Sequence, residues 1–260
     1  MKSRSLLYNE RCFNDDNGYH HNVEFDINPN NSAKHKETIE SNDPNSINDF
    51  IILSKTKIKM TDNFSFFTFS IFIGTSFSDF SDAVFKSPFY GGLLKKGKAH
   101  LKMHDNICIS KYFNPDMGAV LAQFSWWASD LYPNIVFLSS NISDGLHTGC
   151  YSFHEILKCT CIRCSISTNK DSSPMMFFEC IKSNGSKRVI MAIKEDRWTF
   201  FQQGEPLSIE NTEYYNNSRI KDRINFSIIK EYLLNLGIDF YKIDSSINEC
   251  TTYIRTEWGS

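Results

Sequence analysis

Apolar and polar residues alternate over several short stretches of the chain after residue 60, and this period of two is typical of β-strands. In the stretch SFFTFSIFIG the alternation predicts a half-buried strand whose buried face carries Phe67, Phe69, Ile71 and Ile73. The stretches AVLAQFSWWAS and NIVFLSSNI predict two central strands, separated by a turn at residues 132–134. The pattern therefore indicates a domain rich in sheet.

A second group of strands is predicted further along the chain. The stretches MMFFECI, RVIMAIK and RWTFFQQ are joined by the turn-like sequence KSNGSK and by a turn at Glu195-Asp196, so they predict a meander. We also expect a hairpin in AHLKMHDNICISKYF, turning at Asp105-Asn106, and strands in CTCIRCSIST and CTTYIRTEW.

The period changes to that of a helix in three places. Near the C-terminus an apolar stripe recurs at helical spacing, with Asn225 as the expected N-cap and Gly237 just past the end. The stripe consists of Ile228, Ile229, Tyr232, Leu233 and Leu236. Helices are also predicted in GLHTGCYSFHEILK and in SDFSDAVFKSPF, the latter capped by Ser78 or Ser81. The expected fold class is α+β, with a mainly antiparallel sheet and a few helices that include a C-terminal amphipathic helix.

The first part of the chain has a different composition from the rest. Residues 1–59 are rich in Asn, Asp and Ser and show no sustained apolar period, so they predict a polar leader that is flexible or loosely docked. Residues 60–258 are expected to form a single α+β domain. Residues 259–260 are interpreted as a cloning scar.

The charge balance and the cysteine content narrow the class of protein. Lys and Arg total 28 against 30 for Asp and Glu, which is not the basic excess typical of a nucleic-acid-binding protein. The stretch FSFFTFSIFIG is too short to cross a membrane, and no export signal precedes it. Eight cysteines in such a chain are expected to be thiols. We therefore predict a cytoplasmic protein with neither nucleic acid nor membrane as a partner.

The stretch CYSFHEILKCTCIRC, residues 150–164, raises the question of a zinc site. Cys161 and Cys164 have the spacing of one ligand pair, but on a strand their side chains point to opposite faces, and a second close pair is missing. Packing of these cysteines in the core is the favoured interpretation, and no metal or cofactor is predicted. One catalytic alternative stays open: a thiol hydrolase could use Cys150 and His154 if both lie on the predicted helix, one turn apart.

Aromatic and basic residues supply the candidates for a partner-binding surface. Trp126 and Trp127 are neighbours on a predicted strand, so one ring is expected in the core and the other at the surface, where Trp often dominates binding. Tyr214 and Tyr215 precede Arg219 and Arg223 in the stretch ENTEYYNNSRIKDR, which is either a solvated helix with local ion pairs or part of a recognition surface.

The C-terminal stretch also carries a recognisable pattern. A strand end of the form W-x-F-x-x-x-G-x-P precedes E-x-x-x-YY, two arginines four residues apart, and a helix closing on YL-x-x-LGI. These positions are Trp198, Phe200, Gly204, Pro206, Glu210, Tyr214, Tyr215, Arg219, Arg223, Tyr232, Leu233, Leu236 and Gly237. With the middle stretch ISKYFNPDMGAVLAQFSWWASDLYPNIVFLSSNISDG, the pattern resembles bacterial immunity proteins, the cytoplasmic antidotes of polymorphic or contact-dependent toxins.

This resemblance implies a protein that neutralises a cognate toxin domain by binding and occluding it, and it implies no catalytic residue. Surplus aromatic residues and a near-neutral charge are compatible with such a binding role. Two other classes stay open: an enzyme whose site is assembled only by the fold, and a toxin module whose leader once joined it to a delivery domain.

Overall fold

The computed structural model describes residues 64–115, 122–168 and 170–256. The chain divides into two units, Met1–Asp62 and Asn63–Ser260, and the described residues all belong to the second. The predicted leader, residues 1–59, and the interpreted scar, residues 259–260, lie outside the described residues.

The described residues form a nine-stranded sheet in which every neighbouring pair of strands is antiparallel. Across the sheet the strand order is β2-β9-β3-β4-β1-β5-β6-β7-β8. The strands are β1 (Phe66–Ile73), β2 (Ala99–His104), β3 (Gln123–Ser129), β4 (Ile135–Ser140), β5 (Thr160–Ser167), β6 (Met175–Ile181), β7 (Lys187–Lys194), β8 (Trp198–Gln203) and β9 (Ile247–Arg255).

Helical segments accompany the sheet and confirm the α+β class. The α-helices among the described residues are α1 (Phe77–Lys86), α2 (Tyr90–Lys95), α3 (His147–Leu157) and α4 (Phe226–Asn235). Short 3₁₀ turns are found at Ile109–Tyr112, Thr212–Asn216, Ile220–Asp222 and Phe240–Lys242. The meander β6–β7–β8, helix α3 and strand β5 lie where the sequence predicts them.

Helices cover both faces of the sheet, so the central strands are buried on both sides. One face packs against α1, α2 and α3 through a cluster that includes Phe80, Tyr90 and Phe153. On the other face, the ring of Tyr232 in α4 lies 5.6 Å from the ring of Phe178 in β6. Strand β1 is consequently buried along almost its whole length, and the expectation that it is half-buried is wrong. Its alternation is real, but the polar residues Thr68 and Ser70 are also buried, and the Ser70 hydroxyl lies 3.3 Å from the Cys150 thiol of α3.

One local prediction fails because of packing between distant parts of the chain. The hairpin at Asp105-Asn106 is not formed, because β2 ends at His104 and pairs with β9. Ile109 and Tyr112 are buried three residues apart in a 3₁₀ turn, a spacing that satisfies burial without a strand.

The cap of α1 also differs from the prediction. Ser76 is the N-cap, and its Oγ accepts a hydrogen bond from the Asp79 amide at 3.1 Å. Ser81 lies inside the helix, where its Oγ accepts a bond from the Trp126 indole at 3.0 Å. The helix therefore begins earlier than either Ser78 or Ser81 would allow.

Helix α4 behaves as its sequence predicts. The Asn225 side chain accepts from the Ile228 amide at 3.1 Å, and Gly237 adopts a φ of +80° just beyond the helix. Four residues of the predicted stripe are buried, while Leu236 at its end is partly exposed. Helix α4 thereby holds the segment that joins it to β8.

Candidate functional site

Both tryptophans of the proposed binding pair lie in the core. Trp126 and Trp127 are each 0 % exposed, so the expectation that one ring is available to a partner is wrong. The rings do face opposite sides of the strand, but helices cover both sides. The Trp126 indole donates to Ser81 in α1, and the Trp127 indole donates to the carbonyl of Ile243 at 2.7 Å.

The two tyrosines of the other pair have different environments. Tyr215 is buried, and its hydroxyl donates to Glu210 at 2.6 Å. Since that single proton is used, Tyr232 is the donor in the 2.8 Å bond between the two tyrosine hydroxyls. Tyr214 is partly exposed, and its hydroxyl donates to Glu231 in α4 at 2.9 Å. Of the pair, Tyr214 is the one that a partner can reach.

Glu210 is the centre of a buried polar cluster that joins the C-terminal segment to the sheet. Its carboxylate accepts bonds from Arg188 in β7, at 3.0 and 3.1 Å from Nε and at 2.7 Å from Nη2. The Leu207 amide and Tyr215 hydroxyl also donate to it. The side chains of Arg188 and Glu210 are only 3 % and 0 % exposed. We call Arg188, Glu210, Tyr215 and Tyr232 the Glu210 cluster.

The charges of the Glu210 cluster shift the pKa values of its members. Burial lowers the pKa of the Arg188 guanidinium, but the bonds to Glu210 outweigh burial and hold that pKa above its ordinary value. Burial, together with the bond to Glu210, raises the pKa of Tyr215. Burial also raises the pKa of Tyr232 to about 12. The cluster thus contains one ion pair and two neutral phenols.

Arg188 is the member of this cluster that sequence reasoning missed. Its partner Glu210 is 22 residues away, and no local pattern links the two. The available signal is its place in strand β7, where buried and partly buried positions alternate and Arg188 falls on a buried one. A charged residue at such a position requires a buried partner.

The two candidate arginines lie outside the cluster, towards solvent. Arg219 has a side chain that is 73 % exposed, and its Nε donates to Asp222 at 2.7 Å. Arg223 is partly exposed, with its Nε bonded to the Asn217 carbonyl and its guanidinium 5.4 Å from the centre of the Phe200 ring. Phe200 belongs to β8, so this contact places the arginine segment beside the edge of the sheet.

These residues define one candidate binding surface. We call Phe200, Tyr214, Arg219 and Arg223, together with the partly exposed Trp198 at the start of β8, the aromatic–arginine surface. The 3₁₀ turn Ile220–Asp222, which lies between the two arginines, contacts β8 directly. Aromatic residues and arginine are the side chains most enriched at the centres of protein interfaces. The surface is therefore suited to binding another protein.

The cysteine stretch is part of the core. Cys161 pairs with Phe72 and Cys164 with Phe69 in the β1–β5 register, so the two thiols lie on opposite faces, as the strand period predicts. Cys150, Cys159, Cys161 and Cys164 are all buried. Among the described residues, no group of three or more His, Cys, Asp or Glu side chains is placed to hold a metal ion.

Cys150 and His154 both lie on α3, but their side chains have different hydrogen-bond partners. His154 is buried, and its Nδ1 lies 2.8 Å from the Cys159 carbonyl, whereas Cys150 Sγ lies 3.3 Å from the Ser70 hydroxyl. Burial raises the pKa of the Cys150 thiol, yet the Cys161 thiol, Arg163 guanidinium and Ser70 hydroxyl outweigh it and hold that pKa below its ordinary value. The thiol itself is fully buried.

Comparison with known proteins identifies no relative of this chain. No protein-family model matches the chain, and neither a curated protein nor a solved structure matches it significantly. In the described ranges, no helix has the length and apolar character needed to span a membrane. The similarity to immunity proteins accordingly stays a prediction.

Proposed function

We propose that this chain is a cytoplasmic immunity protein that binds a cognate bacterial toxin domain and neutralises it by occlusion. The aromatic–arginine surface is the observation that carries the proposal. It combines the partly exposed aromatic rings of β8 with Tyr214 and the exposed Arg219 in one region. The Glu210 cluster holds this region against the sheet, so the surface is rigid before a partner arrives and loses little entropy on binding.

The pattern that resembles immunity proteins supports this proposal because it has two separate roles in the fold. The side chains of Glu210, Tyr215 and Tyr232 are buried and fix the segment, while Tyr214 is partly exposed and Arg219 is exposed on the same segment. A single stretch therefore supplies both the support and the contact residues of the surface. Preorganised supports of this kind are what a tight binding surface requires.

Co-expression in bacteria tests the proposal. The toxin candidate is the product of the adjacent upstream gene, expressed from an inducible promoter with or without this chain. We expect the toxin candidate alone to stop growth and the pair to grow normally. A harmless neighbour, or one that stays lethal when this chain is present, would contradict the proposal.

The second candidate function is a thiol hydrolase that uses Cys150 and His154, which lie one turn apart on α3. Against this candidate, Cys150 is fully buried and the His154 ring is bonded to a backbone carbonyl. Alkylation of the native protein by iodoacetamide, read by mass spectrometry at each thiol, distinguishes the two candidates, with the exposed Cys108 as internal control. We expect Cys150 to react at least ~100-fold more slowly than Cys108, because burial blocks access. Faster alkylation of Cys150 would support the hydrolase.

A further inference from the structure

Strand β8 is an edge of the sheet whose outer side is open in the described part of the chain. It pairs with β7 over Trp198–Gln203, and no other described strand pairs with it. In an antiparallel ladder, every second residue of an edge strand directs its N–H and C=O groups away from its neighbour. These groups form a row of donors and acceptors at the spacing of a β-strand.

Strand β8 also lacks the charges, prolines and bulges that normally protect an edge, although the 3₁₀ turn Ile220–Asp222 contacts it. Its sequence, WTFFQQ, contains no charged residue and no proline, and its register with β7 runs without a bulge. The opposite edge, β2, is protected by comparison, because its six residues include the charged Lys102. Soluble proteins guard their edges with charge, proline or bulges, since an unguarded edge pairs with other strands. Strand β8 is therefore the edge of the described sheet with less protection in its sequence.

The charges near β8 select the kind of strand that docks. Arg223 lies over the Phe200 ring, and Lys221 is exposed on the adjacent 3₁₀ turn, where Asp222 pairs with Arg219 at 2.7 Å, so the segment keeps a net positive charge. A second copy of the chain, paired antiparallel through β8 about a two-fold axis, would bring the same basic residues together from both copies. Like charges in that position oppose self-association, whereas acidic side chains on a different strand would be attracted.

We infer that the outer edge of β8 accepts an extended strand of the toxin domain, with acidic side chains of that strand directed at Lys221 and Arg223. This inference rests on the proposed function and specifies how its surface is used. Main-chain hydrogen bonds to β8 would supply affinity, and the two basic side chains would supply selectivity for acidic strands. The partner would thereby extend the nine-stranded sheet by one strand.

A peptide tests the edge itself, independently of any toxin. The probe is a fluorescent ten-residue peptide of alternating valine and glutamate, compared with one of alternating valine and lysine, and binding to the full chain is read by anisotropy. We expect saturable binding of the glutamate peptide, at least 10-fold tighter than that of the lysine peptide. Equal binding of the two peptides, or no saturation of either, would overturn the inference.

Two matched variants locate the binding. Thr199→Glu places a charge on β8 at an exposed position, and Met103→Glu places the same charge on the opposite edge, where Met103 is 81 % exposed. We expect Thr199→Glu to weaken peptide binding at least 10-fold and Met103→Glu to change it less than 2-fold, with both variants melting as the parent does. The opposite order would overturn the inference. So would a dimer of the parent chain, seen by analytical ultracentrifugation, that Thr199→Glu dissociates.

Hydrogen exchange on the toxin complex separates this inference from the proposed function. We expect amides of residues 198–203 to exchange at least 10-fold more slowly in the complex, and those of residues 99–104 to be unchanged. If the chain rescues growth and forms the complex but residues 198–203 exchange as before, strand addition is wrong and the immunity proposal stands. If the glutamate peptide binds at β8 but the toxin candidate does not bind, the proposed function fails while the edge remains a strand-binding site.

Discussion

Removing the carboxylate of Glu210 should destabilise the whole domain. Its side chain is 0 % exposed, and it accepts bonds from Arg188, from the Leu207 amide and from Tyr215. Glu210→Ala leaves the buried guanidinium of Arg188 without its counter-ion. The remaining acceptors for Arg188 are neutral, namely Gln202 and the Gly204 carbonyl, both at 2.9 Å.

The expected loss of free energy of unfolding is large because an unpaired buried charge strongly destabilises the folded state. Breaking a buried ion pair by removing one partner costs about 3–5 kcal/mol of the free energy of unfolding. With an m-value of about 2 kcal/mol/M, a loss of about 4 kcal/mol lowers the urea midpoint by about 2 M. Urea titration followed by fluorescence measures this shift.

An exposed ion pair provides the control. Asp82 pairs with Lys86 on α1, and both side chains are more than half exposed. Asp82→Ala should change the free energy of unfolding by less than about 0.5 kcal/mol. Replacing both members of the buried pair, as in Arg188→Met with Glu210→Leu, should cost less than Glu210→Ala alone, because no unpaired charge remains. A loss below about 1 kcal/mol for Glu210→Ala would refute the role assigned to the cluster.

Two further predictions concern the same segment. Gly204 has a φ of +82°, and a Cβ there would lie 1.9 Å from the Lys187 carbonyl oxygen. Gly204→Ala should therefore lower the free energy of unfolding by at least about 2 kcal/mol. Gly185→Ala, in an open turn at similar φ, should lower it less. Thermal melts of the two variants check this order, and equal melting temperatures would contradict it. Because the pKa of Tyr232 is raised to about 12, the folded state keeps a proton that the unfolded state loses near pH 10. This contribution is full below pH 10 and is lost as pH rises to 12, so urea midpoints should fall over that window, and should fall less steeply in Tyr232→Phe. An identical slope in the variant would show that Tyr232 is not the group responsible.

Local sequence patterns predict the elements that depend mainly on local rules. The meander β6–β8 follows from alternation and turn residues, and α4 follows from its stripe and its cap at Asn225. The failures come from contacts between distant parts of the chain. Alternation in β1 and β3 shows which residues share a face, but it does not show that helices cover both faces and bury Trp126 and Trp127 alike.

The candidate site was only partly predictable for the same reason. Arg219 and Arg223 stand out because they are basic residues after a pair of tyrosines. Their contact with β8 depends on a packing that brings Arg223 over Phe200, which is 23 positions earlier in the chain. The buried Arg188–Glu210 pair is equally distant in sequence. The open edge of β8 follows from the strand order, which no local pattern specifies.

Calorimetric titration of the purified toxin domain into this chain tests most directly whether the aromatic–arginine surface binds the partner. The variant carries Tyr214→Ala and Arg219→Glu, and the control is Lys242→Glu, a charge reversal in an exposed ion pair with Asp239 on a separate 3₁₀ turn. At about 2 kcal/mol for each central interface residue, the double change should raise Kd at least ~100-fold. The control should stay within ~2-fold of the parent. Equal affinity of the parent and the double variant would contradict the account.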